Sequence, residues 1–140
     1  MREIKFRGKR TDNKEWVYGQ YFDIIIGIRK HYCIVVNNEA GGLLDDKQAS
    51  FYIDRSSLCQ YIGKNDKNKE ELYENDIVRY KRASSDFIGV IEYNEITCRF
   101  SVRSILSGGR DIIIWKEKYI PYIEKIGNIY DNPELLKEEK

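Results

Sequence analysis

His31, Cys33, Cys59 and Cys98 are the complete histidine and cysteine set of this 140-residue chain, and by count alone they would make a zinc site. Structural zinc sites draw their ligands in close pairs on knuckles or turns. Here only His31 and Cys33 are near one another. Cys33 in "YCIVV" and Cys98 in "CRFSV" read as inward positions of strands, where a free thiol ordinarily sits. No metal and no other cofactor is expected. A catalytic triad would need His31 as its base, and no serine stands in a nucleophile elbow. The acid pairs Asp45-Asp46, Glu70-Glu71 and Glu74/Asp76 fall in turns or at strand entrances, and two carboxylates alone do not establish acid–base work. "SGGR" lacks the lysine and following hydroxyl of a phosphate loop. The chain is expected not to be an enzyme.

Cations offer the better lead. In "DIVRYKR", placing Val78 and Tyr80 inward turns Arg79 and Lys81 outward. In "CRFSVRS", placing Cys98, Phe100 and Val102 inward turns Arg99 and Arg103 outward. Neighbouring strands would then display Arg79, Lys81, Arg99 and Arg103 on one surface, with tyrosines at hand for base stacking. A second basic group opens the chain, where Arg2, Lys5, Arg7, Lys9 and Arg10 face only Glu3. The ordinary alternative is cross-strand pairing with Glu92 and Glu95. Overall balance argues against coating nucleic acid by bulk charge, because 24 basic residues meet 23 acidic ones.

The elements that must carry these residues read as strands. Eleven tyrosines, 13% aromatic residues and only two prolines favour sheet over helix. "EIKFRG" alternates with period two, Ile4 and Phe6 on one side and Glu3, Lys5 and Arg7 on the other. "WVYGQYFDIII" is an aromatic strand in which Gly19 marks a bulge or a close backbone approach. "HYCIVV" follows, then the turn-rich "NNEAGGLLDDKQAS", read as a mobile loop near 37–50. After "SSLCQYIG" and the polar turn "KNDKNKEE", the strands "NDIVRYKR", "IGVIEYN" and "TCRFSVRS" are joined by loops short enough for antiparallel hairpins. "DIIIWKE" adds a strand after the Gly108-Gly109 turn, and "YIEKIGNIY" the last. "NPELLKEE" reads as a short helix with Asn132 at the N-cap and Pro133 at its first position. Many short strands with one terminal helix argue for an all-β barrel or roll. The charged, alternating start is not a secretion segment, and no apolar run approaches bilayer length. With an odd, dispersed set of cysteines, a cytoplasmic setting is expected.

Taken together, "REIKFRGKR", "WVYG", "QYIGKNDKNKEELYENDIVRY", "GVIEYN" and "IGNIYDNPELL" resemble the YopX family of phage and prophage proteins, from Arg2 to Leu136. The resemblance implies an SH3-type barrel and a phage protein in a bacterial host, without an assigned activity. It makes Trp16, Gly19, Gly63, Tyr73, Asp76, Gly89, Gly127, Asn132 and Pro133 motif residues, read first as architecture. Two positions depart from the family pattern, where Lys69 and Asn75 replace glycines. Asparagine tolerates a left-handed backbone, so the corner at 75 is expected to survive. Lysine does so less well, so the tip at Asn68-Lys69 is expected to change geometry or to move. Asp76 is expected to accept backbone N–H bonds at the corner.

The expectation is therefore a mainly β chain. An N-terminal β arm occupies 1–56, and an SH3-type barrel with a helical tail occupies 57–140. The leading function is a non-enzymatic module that docks a host or phage protein, or a second copy of itself, through an exposed strand edge or a tyrosine-rich face. Nucleic-acid binding through the basic strand face and the arm is the alternative.

Overall fold

Alternation of branched or aromatic residues with polar ones produces strands along nearly the whole chain. The structure, a computed structural model, describes residues 2–36, 49–105, 111–112 and 115–137. The turn at Gly108-Gly109 and most of the loop expected near 37–50 lie outside them, but Ala49 and Ser50 already belong to a strand. The strands are β1 Phe6–Lys9, β2 Trp16–Ile26, β3 Arg29–Val36, β4 Ala49–Tyr52, β5 Cys59–Asn65, β6 Glu71–Tyr73, β7 Asp76–Arg82, β8 Ser85–Asn94, β9 Arg99–Ser104, β10 Asp111–Ile112 and β11 Ile123–Asn128. The chain divides into two compact units, Met1–Tyr61 and Ile62–Lys140. Among the described residues no helix is long and apolar enough to cross a membrane.

In the first unit the strands run β4-β3-β2-β1, and the start of β5 lies beside β1. β1 covers only the near end of β2, from Trp16 to Gly19. Beyond Gly19, β2 pairs with β3 as far as Ile26 opposite Arg29. Gly19 is the close approach its position suggested: a Cβ there would sit 1.9 Å from the Val35 carbonyl oxygen. The first strand departs from its expected polarity. Ile4 is exposed and precedes the strand, whereas Arg7, expected outside, is 1% exposed. Its guanidinium lies 4.4 Å from the Trp16 ring centre, which lets a cation be buried on an aromatic face.

In the second unit β7 to β10 form consecutive hairpins, and β11 returns to pair with β7, giving the order β10-β9-β8-β7-β11. The far end of β5 lies beside β6. The core is Ile62, Leu72, Val78, Tyr80, Ile91, Val102 and Ile123, with Phe87, Phe100 and Tyr122 packed against it. Each such aliphatic side chain contributes about 1.5–3 kcal/mol by leaving water. The ladders draw open antiparallel sheets and no closed barrel. The C-terminal helix is reduced to one 3-10 turn, Pro133–Leu136. Asn132 stands at its cap position without capping it; its side-chain oxygen accepts instead from the Asn128 N–H at 3.2 Å.

Candidate functional site

The four cations of the strand stripe do share one sheet face. Arg79 lies opposite Ile88, Val90 opposite Arg103, and Asn94 opposite Arg99, so the register keeps them on the side away from Val78 and Ile91. Carboxylates stand between them. Arg79 donates to both Asp86 oxygens at 3.0 and 2.8 Å, and this fork holds the Asp86 carboxyl below the usual carboxylate range. Arg103 donates to Glu92 at 3.0 Å. Lys81 lies opposite Asp86 in the ladder. Beside the stripe, Lys67, Arg79, Lys81, Pro121, Tyr122 and Glu124 line an open cleft of about 330 Å³, in which Lys67 is paired with Glu124 at 3.3 Å.

The cations of the arm are engaged as well. Lys5 pairs with Glu3 at 3.4 Å and lies 5.4 Å from the Tyr61 ring centre. Lys9 joins Arg7 over Trp16. Arg10 donates to Asp12 at 2.9 Å and lies over Phe51; the bond to Asp12 raises its already high pKa. Arg2 is exposed.

The motif residues build a corner. Asp76 is fully buried, accepts from the Tyr73 N–H at 2.8 Å and faces Lys125 Nζ at 3.4 Å. Asn75 keeps the corner with φ +67, receives the Ile129 N–H on its carbonyl and donates its side-chain amide to the Tyr130 hydroxyl at 3.0 Å. Asn128 accepts the N–H groups of Tyr130 and Asp131, closing the "GNIYDN" turn. Gly127 makes room for this, since a Cβ there would sit 2.5 Å from Asn132 Oδ1. Gly63 lies within β5 at φ +84, and Gly89 is buried in β8.

The tip at Lys69 corrects the expectation placed on it. Lys69 adopts the left-handed backbone itself, φ +65, because Asp66 holds the turn from inside. One Asp66 oxygen accepts from the Asn68 and Glu70 N–H groups at 2.8 and 2.9 Å, and the other accepts from Lys125 N–H at 2.9 Å. A buried carboxylate therefore sits in what the sequence presents as a solvated lysine tip. The Asp-x-x-x-Glu spacing gives no sign of it, since the decisive partner is remote in sequence.

Cys98 also moves from its expected place. It lies exposed in the turn between β8 and β9 with φ +54, while Cys33 and Cys59 are buried free thiols. Burial pushes the Cys33 thiol pKa up. The His31 and Tyr52 rings meet tilted, with centroids 5.2 Å apart. Among the described residues no three His, Cys, Asp or Glu side chains gather as a metal site would require.

The feature that sequence reasoning missed lies on β2. Tyr18, Phe22, Ile24 and Ile26 point to one face of the strand and are 37–50% exposed. Cross-strand register adds His31, opposite Ile24, and Tyr52, opposite Cys33. The other face of β2 carries Tyr21 and Asp23, with Lys30 ion-paired to Asp23 at 3.1 Å. At the hairpin end Ile25 is 71% exposed and Ile28 99%. Among the described residues no core cluster gathers this apolar row. The signal was present as "YFDIIIGI", an apolar run ending in a glycine turn.

Comparisons with known proteins follow the same lines. A crystal structure of protein EF1440 from Enterococcus faecalis shares the fold, with a TM-score of 0.60 and 23% sequence identity, over 98% of this chain and 100% of that one. No curated protein matches the chain. The family described as YopX protein matches residues 5–137, nearly the whole length, and this chain belongs to the YopX family.

Proposed function

We propose that this chain is a non-enzymatic protein-docking module, an accessory protein of phage or prophage origin that works in the cytoplasm of a bacterial host. The observation that carries the reading is the β2 face. Tyr18, Phe22, Ile24 and Ile26 stay exposed on an ordered strand although a sheet face ordinarily buries such residues. The aromatic and branched side chains, with Gln20 among them and Arg29 opposite Ile26 at one end, match the composition of a protein contact. Its phage setting rests on the family resemblance. An SH3-type barrel for the second unit rests on the same resemblance; the hairpin series, the 3-10 turn Glu117–Tyr122 and the last strand returning to β7 support it, although the sheet is open. Host-cell lysate passed over wild-type protein and over an Ile24→Lys/Ile26→Lys variant tests the reading. A protein retained by the first and lost by the second is expected; identical retention by both would refute it.

Nucleic-acid binding is the second reading, favoured by the common face of Arg79, Lys81, Arg99 and Arg103. The forks to Asp86 and Glu92 weigh against it, because phosphate would have to displace a carboxylate already in place. Anisotropy of labelled DNA and RNA at low salt decides: salt-sensitive binding lost in Arg79→Ala/Arg99→Ala/Arg103→Ala promotes it, and no binding removes it.

A further inference from the structure

We propose that the partner of the β2 face is a second copy of this chain, docked about a two-fold axis that passes close to Phe22. The inference rests on the protein-docking reading and names its partner. A two-fold contact sets each group against the opposite end of the same patch, so a usable patch must not bring like charges together. Along β2 from Tyr18 to Ile26 this face carries no charged side chain; of its cross-strand neighbours Arg7, opposite Tyr18, is buried, and Arg29 stands at the far end opposite Ile26. Within that row of β2 Gln20 donates its amide to the Ile4 carbonyl at 3.0 Å, and His31 lies opposite Ile24. The acidic residue of the strand, Asp23, is on the other face and neutralised by Lys30.

The ends of the patch are complementary to one another. Tyr18 and Ile26 stand four residues either side of Phe22, and Arg29 is the cross-strand neighbour of Ile26. A two-fold axis at Phe22 brings Arg29 of each copy beside Tyr18 of the other. Guanidinium on an aromatic ring is a contact this chain makes repeatedly, as Arg7 over Trp16, Arg10 over Phe51 and Arg82 over Tyr122. Ile24 of one copy falls against Gln20 of the other, and the Phe22 rings meet at the axis.

The strand edge agrees. β1 ends opposite Gly19, so among the described residues no strand lies along the outer edge of β2 from Gln20 to Ile26. A second copy laid across the face therefore meets no neighbouring strand of its partner's chain along that side, among the described residues. Covering the face on both copies removes on the order of 1,000 Å² from water, the small end of specific interfaces, so a weak dimer that forms with rising concentration is expected.

Sedimentation velocity of the full chain from low to high micromolar concentration provides the test, together with cysteine cross-linking in a Cys33→Ala/Cys98→Ser background, since Cys33 lies opposite Phe22 and would otherwise capture a cysteine there. The wild type is expected to approach twice the monomer mass as concentration rises. Ile24→Lys/Ile26→Lys is expected to weaken association at least ~10-fold, with unchanged far-UV circular dichroism. Under mild oxidation Phe22→Cys should cross-link to itself, and Tyr18→Cys to Ile26→Cys when the two proteins are mixed. Ile28→Cys, at the hairpin end, should cross-link far more slowly. The cross-links keep the test intact if the lysine variant does not fold. A wild type that stays monomeric, a dimer indifferent to the lysines, or Phe22→Cys linking no faster than Ile28→Cys would each overturn the inference. A monomer that still needs Ile24 and Ile26 to retain a lysate protein would overturn the second copy and leave docking intact. A monomer whose lysine variant retains the same proteins as the wild type would end both.

Discussion

The β7–β8 and β2–β3 hairpins are written in the same alternation, and they end in opposite environments. In β7, Val78 and Tyr80 meet Ile91, Val102 and Ile123, and all five are buried. In β2 the equivalent row, Phe22, Ile24 and Ile26, faces solvent. The ladders are equally regular, so backbone pairing is not what separates them. What separates them is the material packed on the sheet. Ile62 and Leu72 join Val78 and Tyr80 in one cluster, with Tyr119, Ile120 and Tyr122 packed against it, whereas among the described residues no such cluster gathers Phe22, Ile24 and Ile26. Among the described residues only the far half of β2, from Asp23 to Ile26 opposite Arg29 to Tyr32, is a two-stranded ribbon, which is marginal in water by itself. That half also keeps Ile24 and Ile26 on its surface.

Substitutions sharpen that contrast, beginning where the effect is greatest. Ile91→Ala, in the second unit's core, is expected to cost about 3–4 kcal/mol by denaturant unfolding. Ile26→Ala on the β2 face should stay within about 0.5 kcal/mol at dilute protein; comparable costs at the two sites would break the comparison. Asp76→Ala should cost about 3 kcal/mol, because it removes the acceptor of the Tyr73 N–H and leaves Lys125 facing an apolar gap. Gly19→Ala should cost about 2 kcal/mol, since the new methyl meets the Val35 carbonyl. A smaller loss would mean that the ribbon gives way more easily than its ladder suggests.

Thiol chemistry tests the corrected placement of Cys98. A thiol reagent should modify one cysteine of the native protein at once, Cys98, and reach Cys33 and Cys59 only on unfolding. The smallest effect belongs to the basic face. Arg79→Ala should leave the melting temperature at neutral pH unchanged within error, as expected for an exposed pair. The sign with pH follows from the lowered Asp86 pKa. Whatever the pair contributes is present above the ordinary carboxylate range and disappears as pH falls through the depressed value, where wild type and variant should coincide.

Much of the strand plan could be read in advance, because period-two alternation is a local signal. β2 runs from Trp16 to Ile26, the span its residues imply, and Asn75 and Asp76 build the corner their chemistry implies. The same alternation says that two faces differ without saying which of them is covered, and that is where the reading stopped short. Arg7 is buried because Trp16 accepts it, and Asp66 is buried because β11 supplies a third N–H from a distant residue. Cys98 leaves its strand because the β8–β9 turn claims it. The exposed β2 row could be seen only once the absence of a covering layer among the described residues was known.

Amide hydrogen exchange, followed segment by segment in dilute and in concentrated protein, tests the central claim most directly. Gln20–Ile26 should exchange several-fold more slowly in concentrated protein, while β7 and β8 exchange alike at both concentrations. Equal exchange of Gln20–Ile26 at the two concentrations would contradict docking of a second copy on this face.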